Sequence, residues 1–384
     1  MRFEFATATR ILFGSGTLQE AIPMAAEMGR RAIVVTGRTA ERAESLLEQL
    51  NEEGVETILF NVSGEPTTDV ALAGAQLARE TGCDFVIGMG GGSVLDTGKA
   101  IAALLTNSGG LLDYLEVIGS GRPLTHAAAA YMAIPTTAGT GAEVTRNAVL
   151  ASPQHRVKVS LRSPLMLPRL AVVDPQLTHS MPPAVTASTG LDALTQVLEP
   201  YVSNQPNPMT DALCREGLQR AARSLRCAYE DGRDVAARED MALVSLFGGL
   251  ALANAKLGAV HGFAGPLGGL FPAPHGVICA RLLPPVMEAN VRALQARMPD
   301  SPTLARYDEV AQLVTGKVTA AAVDGVAWVQ HLCEALGVPP LSDFGLTEED
   351  IPSVVGKAKN ASSMKGNPIM LTDEELTHVL RQAN

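Results

Sequence analysis

The chain has 384 residues, of which 46% are hydrophobic and 18% are charged. At roughly 150 residues per domain, this length predicts two domains, each large enough to bury its own core. The net charge of −10 and the lack of any run rich in lysine and arginine argue against a nucleic-acid or anionic-membrane partner.

Short apolar runs alternate with helical patterns in the first half of the chain. The alternation of residues 1–16 predicts an N-terminal strand, and helices are predicted over 40–53, 70–81 and 93–105. Strands separated by helix-length segments indicate βαβ units and a Rossmann-like, mostly parallel sheet buried on both faces. The Val- and Ile-rich strands are predicted at 32–36, 56–62, 84–89, 131–134 and 170–173.

The pattern changes after about residue 181, where runs of β-branched residues become rare. We therefore expect an α/β domain over 1–180 and an all-helical domain over 181–384. Helices are predicted at 184–202, 208–229, 234–255, 285–294, 320–336, 348–359 and 372–382.

The N-terminus lacks the apolar core of a signal peptide, and the longest uncharged stretch, 241–255, is shorter than the roughly 18 residues of a membrane span. Five scattered cysteines without a CxxC pair argue against a disulfide framework or a thiolate zinc site, and indicate a reducing cytoplasm. These cysteines are Cys83, Cys214, Cys227, Cys279 and Cys333.

Two loops that follow predicted strands are candidates for binding a nucleotide. Residues 88–93 (GMGGGS) combine close backbone approach with a helix N-terminus, for which Ser93 is a suitable cap, although this is not the Rossmann GxGxxG pattern. Residues 135–141 (PTTAGTG) place three hydroxyls and two glycines at the next such position. Taken singly, each loop remains equally compatible with a tight turn or a polar helix start.

A third set of residues lies in the helical domain. Asp192 and Gln196 are four apart and share one helix face, while His261 and His275 lie in glycine-rich surroundings. A carboxylate and two imidazoles could bind one divalent metal. Each histidine alone is more often structural, and the spacing of the two is not diagnostic.

In order along the chain, GGGSVLDTGKA (90–100), PTTAGTGAEVT (135–145), the segment 172–203, HGFAGPLGGLFPAPHGV (261–277) and KGNP (365–368) resemble the iron-containing (group III) alcohol dehydrogenase family. The resemblance implies a dehydroquinate-synthase-like fold, with a dinucleotide-binding domain followed by a helical domain for metal and substrate. It also implies that Asp192, His261 and His275 are catalytic metal ligands. The implied cofactor-binding residues are Gly91, Gly92, Ser93, Asp96, Thr136, Thr137, Thr140 and Lys158.

The chain departs from the family pattern at two positions. The family's fourth ligand, usually a histidine, is Gln196 here, and a histidine often used for proton relay is replaced by Gly265. An amide oxygen can bind a divalent ion but is a weaker donor than imidazole for transition metals. We therefore expect Gln196 to be a metal ligand. The site should bind Fe²⁺ or Zn²⁺ with weakened affinity or with an altered preference between metals.

The residues after the first βαβ strand bear on the choice of nucleotide. NAD-preferring members carry an aspartate there, whereas this chain has Gly37, Arg38 and Thr39. Without a carboxylate to repel a 2′-phosphate, and with Arg38 and Thr39 able to bind one, NADP is favoured over NAD.

The resemblance implies a metal-dependent, NAD(P)-linked alcohol dehydrogenase or aldehyde reductase, in which hydride passes between nicotinamide C4 and a small alcohol or aldehyde. A homodimer or larger homo-oligomer is expected, and the segment RFEFA could pair across a dimer interface. Three alternatives remain open at this point: a metal-independent reductase like the maleylacetate reductases, a dehydroquinate-synthase-like lyase, and a non-catalytic cofactor-binding protein.

Overall fold

Six parallel strands form the main sheet of the computed structural model, which describes residues 2–38, 41–155 and 157–384. The strand order is β1-β8-β5-β4-β2-β3, and β6 and β7 form a separate antiparallel pair. The strands are β1 (Arg10–Phe13), β2 (Arg31–Thr36), β3 (Glu56–Asn61), β4 (Phe85–Gly90), β5 (Ala130–Pro135), β6 (Asn147–Ser152), β7 (Val157–Arg162) and β8 (Leu170–Val173).

The sheet is covered on both faces because its strands are apolar on both. Along β2, Ala32 and Val34 pack with α1 and α2, whereas Ile33 and Val35 pack with α3 and α4. Side chains along a strand point alternately to opposite faces, so a continuous apolar run is the pattern of a doubly covered parallel sheet. The predicted Rossmann-like sheet is confirmed.

Helices make up nearly all of the chain after β8, which confirms the predicted all-helical region. The N-terminal helices are α1 (Thr17–Ala26), α2 (Glu41–Glu52), α3 (Thr68–Glu80), α4 (Gly92–Thr106) and α5 (Leu111–Tyr114). The later helices are α6 (Pro183–Val202), α7 (Pro208–Glu230), α8 (Val235–Asn254), α9 (Ala259–Leu270), α10 (His275–Arg297), α11 (Pro302–Thr315), α12 (Ala322–Ala335), α13 (Ile351–Ala358) and α14 (Asp373–Ala383).

Contacts divide the chain into two compact units. The α/β unit comprises residues 6–137 and 141–178. The helical unit comprises 179–384 together with residues 138–140 and a short N-terminal segment. Its core is formed mainly by α6 to α14, with α6 buried along most of its length.

Several elements differ from the sequence-based expectation. Residues 2–9, which include RFEFA, contain no strand, and the N-terminal strand is instead β1. The helix predicted at 285–294 begins ten residues earlier and runs through Pro284 and Pro285. Helix α9 was not predicted because it contains four glycines and Pro266, residues with poor helix propensity. Tertiary packing overrides that propensity, since Gly262 lies so close to Met364 that a Cβ there would be 2.9 Å from its side chain.

No single helix in the described part of the chain is both long and apolar enough to cross a membrane. Helices α8 and α9 satisfy that criterion only as a pair, and they are bent by 97° relative to each other.

Candidate metal centre and cofactor loops

Four polar side chains from three helices meet at one point of the helical unit. Helix α6 presents Asp192, α9 presents His261 in its first turn, and α10 presents His275 and Cys279 one turn apart. Residues four apart share a helix face, which explains how His275 and Cys279 reach the same point. The nitrogen, oxygen and sulfur atoms that could bind a metal all lie within 4.8 Å of one another.

Four of the six distances between these atoms lie between 3.5 and 3.9 Å. Asp192 Oδ1 lies 3.5 Å from His261 Nε2 and 3.7 Å from His275 Nε2. Cys279 Sγ lies 3.9 Å from His261 Nε2 and 3.7 Å from His275 Nε2. Cys279 is fully buried and the Asp192 side chain is 3% exposed, whereas the His275 side chain is 36% exposed. Of the four residues, His275 is therefore the most exposed, since the His261 side chain is 8% exposed.

Glu199 orients His261 from the side away from the cluster. One carboxylate oxygen of Glu199 lies 2.7 Å from His261 Nδ1, and the other accepts a 2.7 Å hydrogen bond from the backbone N–H of Val260. A proton on Nδ1 leaves the lone pair of Nε2 directed at Asp192 and Cys279. The carboxylate of buried Glu199 thus sets the tautomer in which His261 can bind a metal.

Asn367 anchors the start of α9 beside Glu199. Its Oδ1 accepts a 3.1 Å hydrogen bond from the N–H of Ala259 and another of 3.1 Å from Asn290 Nδ2. The first N–H groups of a helix have no intrahelical acceptor, so Asn367 and Glu199 together satisfy two of them. The KGNP segment, which the resemblance singled out without a role, therefore positions the helix that carries His261.

The charges of the cluster are strongly coupled. Burial alone would lower the pKa of His261, but Cys279, Asp192 and Glu199 outweigh it, so the pKa of His261 lies well above its ordinary value. Cys279 is also the main cause that raises the pKa of His275, against the effect of burial. Burial would raise the pKa of Asp192, yet the two histidines and Gln196 lower it. Together these shifts show that the cluster stabilises a positive charge placed among its side chains.

Two oxygen atoms at the cluster indicate that a cation fits there. Asp192 Oδ1 and Gln196 Oε1 are buried and have no hydrogen-bond partner among the described residues. Gln196 Nε2 donates a 3.2 Å hydrogen bond to the backbone oxygen of Gly139, which leaves Oε1 as the free end of the amide. Buried polar atoms without partners are costly, and a divalent ion would satisfy both oxygens. The donor set present therefore fits a metal ion.

The connections of the sheet in the α/β unit change direction between β2 and β4. Strand β2 leads to β3 on one side and β4 leads to β5 on the other, so the loops after β2 and β4 diverge. Open α/β sheets bind ligands at the carboxyl ends of such strands. Gly37 follows β2, and Gly91 follows β4.

The glycine loop and the threonine loop lie side by side at this edge. A Cβ built on Gly91 would lie 3.3 Å from the side chain of Thr137, and the N–H of Thr136 donates to the oxygen of Gly90 at 2.9 Å. Helix α4 begins at Gly92 with Gly91 as its cap, so the prediction that Ser93 is the cap is wrong and Ser93 lies in the first turn. The glycine cap leaves the helix N-terminus open to an anion.

The remaining predicted cofactor residues make contacts of other kinds. Asp96 accepts a 3.0 Å hydrogen bond from the N–H of Val149 and lies 3.1 Å from Lys99 Nζ, and Lys158 forms a 2.9 Å ion pair with Glu65. Thr140 belongs to the 138–140 segment of the helical unit. Arg38 is exposed, and Thr39 lies outside the described residues.

Sequence reasoning missed Glu199 and Cys279. Glu199 follows Asp192 by seven residues and so shares its helix face, a spacing that could have been noticed. Cys279 was set aside because it has no CxxC partner, although its spacing of four from His275 is a usable signal.

Comparison with known proteins is consistent with this architecture. The family model described as iron-containing alcohol dehydrogenase matches residues 8–175, and the model of the C-terminal part of that family matches residues 186–384. The chain belongs to the iron-containing alcohol dehydrogenase family. It is an oxidoreductase of the alcohol dehydrogenase class, and membership of the family implies NAD(P) and a divalent metal.

Relatives and solved structures span nearly the whole chain. A 1,3-propanediol dehydrogenase of Klebsiella pneumoniae is 36% identical over 92% of each chain. A choline dehydrogenase of Bacillus subtilis is 34% identical over 98% of this chain and 94% of the relative. The crystal structure of a 1,3-propanediol oxidoreductase matches all of both chains with a TM-score of 0.91 at 33% identity.

Proposed function

We propose that Asp192, His261 and His275, together with the amide oxygen of Gln196, hold the divalent metal of an NAD(P)-linked alcohol dehydrogenase or aldehyde reductase acting on a small alcohol or aldehyde. The observation that carries this proposal is the buried, unpartnered Asp192 Oδ1, which faces the Nε2 atoms of both histidines at 3.5 and 3.7 Å. The proposal also includes a functional division of the chain near residue 180, assembly as a homodimer or larger homo-oligomer, and a cytoplasmic location.

When bound, the metal supplies Lewis acidity to the carbonyl oxygen and the nicotinamide supplies or accepts hydride. The protein prepares that chemistry through Glu199, which holds a proton at His261 Nδ1 and keeps Nε2 available. Asp192 contributes the negative charge, and burial of Asp192 and Cys279 keeps water away from that side. The exposed side of His275 is where a substrate would approach.

The proton of the alcohol must also leave the site. A Cβ built at Gly265 would meet no atom of the described residues within 4 Å, so the position of the missing relay histidine is open space. Open space on this face of α9 allows water to carry the proton, since a water chain can replace a side chain in general acid–base transfer.

For the nucleotide, we propose that the backbone of Gly91 and Gly92, with Ser93, binds the pyrophosphate at the N-terminus of α4. Thr136 and Thr137 would line the same edge, and Asp96, Thr140 and Lys158 complete the proposed set. Gly37 and Arg38 favour NADP, because the loop after β2 has no carboxylate and carries an exposed guanidinium that can pair with a 2′-phosphate.

Metal removal tests the proposed function directly. Dialysis against a chelator under anaerobic conditions should abolish aldehyde-dependent oxidation of NAD(P)H, and about one equivalent of Zn²⁺ or Fe²⁺ per chain should restore it, since the metal is required to polarise the carbonyl. Metal content is measured by plasma mass spectrometry, and NADPH binding to the metal-free protein serves as the control. Full turnover by metal-free protein would contradict the proposal in favour of a metal-independent reductase.

Gly37→Asp should shift the nucleotide preference from NADP towards NAD. No atom of the described residues lies within 4 Å of a Cβ at Gly37, so the new side chain is accommodated. Its carboxylate would repel the 2′-phosphate, and we expect the ratio of kcat/KM for NADPH to that for NADH to fall by about ten- to a hundredfold. Gly37→Asn, of equal size but uncharged, is the matched control. An equal ratio in the native protein and Gly37→Asp would contradict the assignment.

A further inference from the structure

Cys279 occupies the metal cluster in a way that the other buried cysteines of the helical unit do not. Its Sγ lies 3.7 and 3.9 Å from the Nε2 atoms of His275 and His261, and the side chain is fully buried. By contrast, Cys333 Sγ is directed at the backbone oxygen of Ala280. Cys279 is therefore placed among metal-binding atoms, not among apolar side chains alone.

The distances agree with the geometry of a four-coordinate ion. Metal–nitrogen and metal–oxygen bonds of about 2.0–2.1 Å and a metal–sulfur bond of about 2.3 Å give separations between tetrahedral ligand atoms of about 3.3–3.6 Å. The four separations measured among Asp192, His261, His275 and Cys279 run from 3.5 to 3.9 Å. All six separations lie within 4.8 Å, so modest side-chain movement would bring the four atoms onto one ion.

The charges of the direct ligands are compatible with a thiolate. A buried divalent cation is costly unless its charge is compensated, and Asp192 neutralises only half of it. The other ligands expected from the sequence, two neutral imidazoles and the amide of Gln196, add no negative charge. With a thiolate at Cys279, the charges of the ion and its direct ligands sum to zero, and the Glu199 carboxylate remains paired with His261 Nδ1.

We propose that the Cys279 thiolate is a ligand of the metal and takes the place that a histidine at position 196 has in the family. The strongest donors of the site are then Asp192, His261, His275 and Cys279, with Gln196 Oε1 as a weaker contact. The site selects Zn²⁺ over Fe²⁺ because thiolates are soft donors that favour zinc. The S–H proton of Cys279 is released to solvent as the metal binds. A substrate oxygen would reach the ion from the exposed side of His275, through the expansion of coordination that catalytic zinc sites allow. This inference rests on the metal site of the proposed function.

Cobalt provides a test that does not depend on turnover. Metal-free protein is titrated with Co²⁺ and followed by absorption, since a cobalt–thiolate bond produces an intense charge-transfer band in the near ultraviolet. We expect the band to saturate at about one Co²⁺ per chain. Cys279→Ser should lose the band and bind Zn²⁺ at least about tenfold more weakly, because a thiolate is replaced by a poorer donor. Cys333→Ser and Gln196→Ala should keep the band.

X-ray absorption at the zinc edge is a second measurement. It uses only the native protein, so a variant that fails to fold cannot affect the result. It should show one sulfur at about 2.3 Å from zinc. Binding of one Co²⁺ without the band, a band that persists in Cys279→Ser, or a zinc shell without sulfur would each overturn the role of Cys279 and leave the metal mechanism intact. Failure of the native protein to bind Co²⁺ and Zn²⁺ at all would overturn both.

Discussion

Asp192→Asn is expected to lower kcat by roughly a thousandfold or more, because the metal's stabilisation of the developing alkoxide is worth several kcal/mol. The substitution keeps the size of the side chain but removes the negative charge that faces both Nε2 atoms. Metal content per chain should fall in parallel. Aldehyde reduction measured at saturating NADPH, on protein assayed for metal in the same preparation, tests this result.

Two controls separate a lost metal from a lost fold. Asp192 belongs to the helical unit, whereas the glycine loop belongs to the α/β unit, so the affinity of Asp192→Asn for NADPH should change little. The variant should also unfold cooperatively, like the native protein without metal. Turnover close to that of the native enzyme in a metal-free preparation of this variant would refute the metal mechanism.

Glu199→Gln is expected to weaken metal binding by about ten- to a hundredfold, the usual effect of losing the partner that orients a metal-binding histidine. The amide can still accept the N–H of Val260, but its NH₂ group would then face His261 Nδ1. The histidine would have to move its proton to Nε2, which removes the lone pair that binds the metal. Competition with a chromogenic chelator for Zn²⁺ measures the change in affinity.

Glu309→Gln is the matched control for this carboxylate. Glu309 also binds partners in the helical unit, but these are Tyr201 and Arg215 and not a member of the metal cluster. It should alter stability and leave zinc affinity unchanged. Equal zinc affinity in Glu199→Gln and the native protein would show that Glu199 serves only to hold the start of α9.

Local sequence patterns predicted the α/β unit well because its strands are short, apolar and separated by glycine-rich turns. Strand β8 lies at the predicted residues, and β2 to β5 end within one residue of the prediction. The hairpin of β6 and β7 was not predicted, nor was α11. The glycines and proline of α9 disfavour a helix. The start of α9 is held by hydrogen bonds from Ala259 to Asn367 and from Val260 to Glu199, which lie 108 and 61 positions away in the sequence.

The sequence by itself determined the parallel sheet and the glycine and threonine loops after its strands, and it indicated the candidate metal set of Asp192, Gln196, His261 and His275. These features depend on local periodicity and on motifs whose order along the chain is visible. Only the tertiary structure decided that Glu199 reaches His261 and that Cys279 lies within 4 Å of both imidazoles. Those contacts join residues of α6, α9 and α10, and the packing of three helices, which no local pattern records, is what brings their side chains together.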